Sequence, residues 1–191
     1  MKVSSNTSKI EASITDLISE LGDDSSRDGL AETPKRFLKQ MRECCAGYND
    51  DPESHIKLFH NDNYHDLIVV STITFSSLCE HHLLPFFGTV DIAYLPGDKI
   101  LGLSKFARVV DALSKRMQVQ ERLTRELADL LEKHLKPQLL MVRIRATHTC
   151  MTVRGVSRPQ STTETLTLRG DHTDKTHYVE HFHRMAHRTA Q

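Results

Sequence analysis

The chain has 191 residues, room for one ordinary core or one core with appendages. Its 25 Lys and Arg balance 25 Asp and Glu, so no global field favours nucleic acid or a membrane surface, and any anion site must be local. No stretch approaches the roughly 18 apolar residues of a membrane span, and the opening MKVSSNTSKIEASITDL lacks a signal-peptide core, so a soluble, cytoplasmic protein of one structural unit is expected.

Along the chain, Ile10, Ile14, Leu17, Ile18 and Leu21 recur at helical spacing and Gly22 closes the run. A loop carrying RDGLAE leads to Thr33-Pro34, an N-cap followed by proline, and a second helix presents Phe37, Leu38, Met41 and Cys45 on one face before ending near Gly47. Residues 1–50 thus read as a helical segment and 51–191 as the domain that carries the chemistry. LIVVSTITFSSL and FFGTVDIAYLP are rich in β-branched residues and predict two strands flanking the segment LCEHHLLP. After the turn PGDK come helices over Ser104 to Lys115 and Val119 to Leu135, the second stopped by Pro137. Leu140, Val142, Ile144, Ala146, His148 and Cys150 alternate with Met141, Arg143, Arg145, Thr147 and Thr149, the period of a strand, which predicts a third strand. STTETLTLRG is a fourth strand and DKTHYVEHFHRMAHR a last helix. The order ααββααββα describes an α+β protein with antiparallel strand pairs, not a doubly wound sheet.

Three groups of residues suggest chemistry. Cys79-Glu80-His81-His82 supplies a thiol and two imidazoles within four residues, while His148 and Cys150, two apart on a predicted strand, point to one side. Cys79, one of His81 or His82, and Cys150 would give zinc three ligands of the kinds it favours and leave a fourth position open, as catalytic sites do. The competing reading makes the cysteines small buried hydrophobes and the histidines hydrogen-bonded core residues. Isolated cysteines in a reducing compartment make a poor disulfide framework either way. In GLSKFARVVDALSKR, Ser104, Lys105 and Arg108 lie at a helix start, where N–H groups, dipole and two cations together suit a polyphosphate; the alternative is a solvated surface helix. No GxxxxGK[ST] or GxGxxG is present, so neither a P-loop nor a dinucleotide fold would hold the phosphates. Glu121 in QVQERLT is either a first-turn acid stabilised by the dipole or a carboxylate matched to the paired N–H donors of a guanine edge. His177 with His181, and His183 with His187, are spaced i, i+4; no carboxylate motif or cysteine completes a metal site, and they read as a solvated helix face.

The ordered segments RDGLAETPKR, CEHHLLPFFG, AYLP, GLSKFAR, QVQERLT, HTCMTVRG and STTET resemble the motifs of the GTP cyclohydrolase I family from residue 27 to 165. The resemblance implies the tunnelling fold, antiparallel strand pairs with two helices on one side, assembled into a toroidal homodecamer with active sites between subunits. It implies Zn2+ held by Cys79, His82 and Cys150, with His81 and His148 moving protons. Glu121, helped by Gln120, would hold the guanine; Lys105, Arg108 and Arg154 would hold the triphosphate, with Ser104 close by and Arg36 an addition, and Glu80 would reach a neighbouring subunit's site. The implied reaction converts GTP and water to 7,8-dihydroneopterin triphosphate and formate, opening pterin and folate synthesis. Met117 stands where the family usually has proline, Arg145 where an acid is common, and LTLRGDHTD lacks the usual aromatic. Another tunnelling-fold enzyme, such as a nitrile reductase, would not need the three ligands together, and an idle zinc scaffold would not need His81, His148 and the cations. A zinc nucleoside deaminase fails for want of HxE and PCxxC.

Overall fold

The computed structural model describes residues 6–171, 173 and 175–188. The chain divides into two compact units, Met1–Cys45 and Ala46–Gln191. In the first, α1 (Thr7–Glu20) packs on α3 (Thr33–Cys44), with the short α2 (Asp28–Ala31) forming a helical turn where a loop is expected. Glu32, not Thr33, is the residue before the first turn of α3, which carries its proline within that turn, where a missing N–H costs no helical hydrogen bond.

The second unit is built on a five-stranded sheet of order β5-β2-β3-β6-β7. Its long members are β2 (Ile68–Cys79), β3 (Pro85–Leu95) and β6 (Leu139–His148), flanked by β7 (Thr163–Arg169) and the two-residue β5 (Met117–Gln118). All neighbours are antiparallel except β5, which runs parallel to the end of β2 through Leu78↔Met117 and Cys79↔Gln118. Two further three-residue strands, β1 (Leu58–His60) and β4 (Lys99–Leu101), pair on their own.

Alternation on β3 and β6 sorts side chains between two cores. Val90, Ile92 and Tyr94 of β3 and Leu140, Val142, Ile144 and Ala146 of β6 face α4 (Leu103–Ser114) and α5 (Gln120–Leu135), which contribute Phe106, Val109, Val110, Leu123, Leu127 and Leu131. Two helices on one side of the sheet are as expected. The opposite face, with Ala93, Leu95, Leu139 and Met141, is covered by Phe182 and Ala186 of α7 (Lys175–Arg188). His183 consequently departs from the expected solvated face: it is half-buried, and its Nδ1 lies 3.0 Å from Arg143 Nη1. His177 and His181 are exposed, and the side chain of His187 lies outside the described residues.

The third strand also ends early. β6 stops at His148, and Cys150 sits on α6 (Thr149–Thr152), a single helical turn, so His148 and Cys150 do not share a strand face. The partner strand explains the stop: its last pair with β6 is Phe86↔His148, and the preceding residue is Pro85, which has no N–H to extend the ladder. Thr149 Oγ1 instead donates to Pro85 O at 2.6 Å, turning the chain into α6.

Candidate active site

The β2–β3 hairpin carries the Cys/His segment at its tip. Cys79 closes the loop from both sides of its peptide: its N–H donates to Leu84 O (2.8 Å), and its carbonyl accepts from His82 N (3.3 Å) and Leu83 N (2.8 Å). Leu83 takes the left-handed conformation (φ 54°) that this tight return requires. The folded turn brings His82 Nδ1 to 3.8 Å and His81 Nδ1 to 3.9 Å from Cys79 Sγ.

Cys150 approaches from α6. One donor atom each from Cys79, His82 and Cys150 lies within 4.8 Å of the others, which makes this the group among the described residues with metal-ligand geometry. A zinc tetrahedron with S and N ligands has an S···N edge of about 3.6 Å, close to the 3.8 Å between Cys79 Sγ and His82 Nδ1. The donor set fits zinc in chemistry as well as spacing: two soft thiols, both free, and an imidazole. Burial and the neighbouring Cys79 sulfur push the Cys150 thiol above its ordinary range, opposed by the positive charge of Arg154.

The triad opens on a cavity of about 230 Å³ whose walls include Phe86, Gln120, Glu121 and His148. His148 stacks on Phe86, ring centroids 4.7 Å apart and planes within 2°. Its Nδ1 is buried with no hydrogen-bond partner, and desolvation lowers its pKa against the opposing pull of the Glu121 carboxylate. Gln120 is buried at the first turn of α5, where Nε2 donates to Ile144 O (3.0 Å), Thr163 O (3.2 Å) and Thr165 Oγ1 (3.0 Å). Its Oε1 is buried without a partner. Glu121, one residue on, is exposed at the cavity wall.

The remaining expected residues do not line this cavity. Ser104, Lys105 and Arg108 stand on α4, and Arg108 borders a different cavity of about 200 Å³ beside Asp50, His55 and Lys115. Arg154 is exposed beyond α6, and Arg36 is exposed on α3 of the first unit. Glu80 is paired with Arg122 of its own chain. Within the chain the cavity therefore joins the three thiol and imidazole donors, His81, His148, Gln120 and Glu121, but not the cations of α4.

Three contributors escape a reading of the sequence alone. Phe86 becomes visible only through the β3–β6 register, Thr165 only through its bond to Gln120, and Arg122 only through a partner 42 positions away. Two of the departures from the family pattern are absorbed by specific contacts. The N–H of Met117, which proline would lack, donates to Tyr48 Oη at 3.1 Å, and Arg145 pairs with its cross-strand neighbour Glu164 at 3.2 Å.

The sequence profile described as GTP cyclohydrolase I matches residues 10–187. GTP cyclohydrolase 1 of Streptococcus mutans is 45% identical over 170 residues, 88% of either chain. That of Bacillus subtilis is 43% identical over 166 residues, 86% of this chain and 87% of the relative. Among solved structures, the archaeosine synthase QueF-Like in its apo form aligns with 58% of this chain and 99% of its own at 17% identity and a TM-score of 0.48. With a match that spans all but the chain's ends and relatives at this identity over most of both lengths, the chain belongs to the GTP cyclohydrolase I family.

Proposed function

We infer that the protein hydrolyses GTP to 7,8-dihydroneopterin triphosphate and formate, the entry step of pterin and folate synthesis. The observation that carries this reading is the convergence of Cys79, His82 and Cys150 beside His148 in a chain matched almost end to end by the family profile.

Cys79, His82 and Cys150 would hold a zinc ion, which would supply Lewis acidity that brings the pKa of water down to about 7. The protein's own groups account for the rest. C8 of a purine is a poor electrophile until N7 is protonated, and His148 is the imidazole suited to deliver that proton. Stacking on Phe86 fixes its ring plane, and burial lowers its pKa, so that once protonated the ring gives up its proton more readily than a solvated imidazolium would. Glu121 accepts from the guanine N–H edge, and the unpaired oxygen of Gln120 accepts beside it. Loss of formate frees an amine onto which the rearranged ribose carbon must close, a step that needs a second proton carrier; His81, exposed at the cavity wall, takes that role.

The triphosphate is held by Lys105, Arg108 and Arg154, with Ser104 and Arg36 assisting. Because the α4 cations do not line the cavity of their own subunit, they serve the cavity of a neighbour. Glu80 acts at the subunit boundary as well as in its pair with Arg122. This reading makes the working form a homo-oligomer, a toroidal decamer of tunnelling-fold domains. It also treats residues 1–50 as a helical arm and 51–191 as the catalytic domain.

Purified protein incubated with GTP should release formate and a fluorescent pterin triphosphate in equal amounts; absence of formate with zinc-loaded protein overturns the reading. Cys150→Ser should lose zinc and turnover together. His148→Ala should keep zinc but lose ring opening, and formate release by that variant would remove His148 from the chemistry.

A further inference from the structure

Two of the three donors, Cys79 and His82, belong to a hairpin turn whose residues 80–82 are exposed. Backbone hydrogen bonds at Cys79 close the turn, yet they leave the Glu80-His81-His82 side of it with little packing. What holds that side comes from β5 and the first turn of α5. The Glu80 N–H donates to Gln118 O at 3.1 Å, and Arg122 Nη2 donates to Glu80 Oε2. The other Glu80 oxygen lies 3.9 Å from His81 Nε2, so one carboxylate faces both the guanidinium and the proton-carrying imidazole.

Arg122 is itself aimed before it reaches Glu80. Its Nε donates to Gln118 Oε1 (2.7 Å) and its Nη2 to Met117 O (3.1 Å). Gln118 is buried, with its amide nitrogen bound to Leu113 O (3.2 Å) and Glu126 Oε2 (2.9 Å). A guanidinium is a rigid planar fork, and acceptors on its own segment leave it one direction in which to offer the remaining N–H groups. That direction is the turn between two metal donors.

We propose that Arg122 is a positioning residue for the metal centre: through Glu80 it fixes the Cys79–His82 turn relative to the first turn of α5, and so couples the metal donors to the Gln120–Glu121 pair that reads the base. The inference rests on Cys79, His82 and Cys150 being the zinc ligands, as argued above. Outer partners that orient ligands are typically worth about 10–100-fold in metal affinity. The rival account gives Arg122 a purely structural task, joining β5 to α5 through Gln118 and Met117.

Zinc affinity separates the two. The dissociation constant of the folded protein is measured by competition with a chromophoric chelator for the parent protein, Glu80→Gln, Arg122→Ala and the double variant, alongside far-UV circular dichroism and the melting temperature of the metal-free forms. Glu80→Gln leaves every Arg122 bond to Gln118 and Met117 available, so it carries the test should Arg122→Ala fold poorly. Each single variant should bind zinc about 10–100-fold more weakly, and the double variant should be no weaker than the worse single, because both act through one contact. Arg122→Lys keeps the charge but not the fork and should recover only part of the affinity. Zinc binding unchanged in Glu80→Gln and Arg122→Ala, with only melting temperature lowered, overturns the positioning role. A parent protein that binds no zinc overturns instead the three-ligand reading beneath it.

Discussion

Gln120 illustrates how neighbours orient a side chain whose two ends differ by one atom. Ile144 O and Thr163 O can only accept, so the amide nitrogen must face them and the oxygen must face the other way. That leaves Oε1 buried without a donor, a state that costs about 1–3 kcal/mol and that a ligand N–H would relieve. Gln120→Ala should therefore raise the KM for GTP by about 5- to 150-fold, the equivalent of that penalty, with a smaller change in kcat. Steady-state kinetics check this; an unchanged KM would mean that GTP makes no contact with the oxygen. Part of this was legible from the chain alone. QVQERLT marks Gln120 and Glu121 as candidates, but the direction of the amide depends on β6 and β7 residues 24 to 45 positions away, which no local pattern encodes.

At the level of elements, local signals located α4 and α5 within about one residue because their apolar repeats and their Gly102 and Pro137 boundaries are contained in each segment. β6 was read correctly until its end, which is decided by Pro85 on another strand. β5 is too short to show a period. On the face of the third strand opposite α4 and α5, α7 covers Arg143. Arg143 is 2% exposed and Asp91 5%, joined at 2.8 and 3.1 Å, with Asp91 Oδ1 also accepting from Thr72 N at 2.8 Å. Phe182 lies 5.2 Å from the guanidinium, and since arginine only donates, His183 Nδ1 must be the acceptor. Removing Asp91 leaves the buried Arg143 with only the longer ionic contact to the partly exposed Glu164, 3.9 Å away. Asp91→Asn should cost about 3–5 kcal/mol in denaturant unfolding, whereas an apolar replacement of both partners should cost much less. A stability loss under about 1 kcal/mol for Asp91→Asn would mean that water reaches Arg143. A second close contact constrains the same strand pair: a Cβ on Gly88 would sit 1.9 Å from Arg145 O, so Gly88→Ala must separate β3 from β6 beside the Phe86–His148 stack. Its expected result is loss of folded protein or of activity, read by circular dichroism and formate release.

For the molecule as a whole, zero net charge excludes a global field and requires local cations, and the α4 cations Lys105 and Arg108 do not line the cavity they are expected to serve. If both segments hold one GTP, as proposed above, their lining of different cavities calls for a second copy in a heterologous contact, in which different patches of the two subunits face each other. This requirement can be tested without any view of the assembly. Cys150→Ser removes a donor from the cavity, and Arg108→Ala removes a cation from α4; each variant alone should be inactive toward GTP. If the two sets come from different subunits, mixed assemblies contain sites in which the cavity comes from the Arg108→Ala chain and the cation from the Cys150→Ser chain. Random assembly of equal amounts should then restore about a quarter of the sites. Dissociation and reassembly of the mixture, followed by formate release, gives the measurement. Activity no higher than that of either variant alone would mean that one chain supplies both sets, and the separation of Arg108 from Cys150 would then have to close within a subunit when GTP binds.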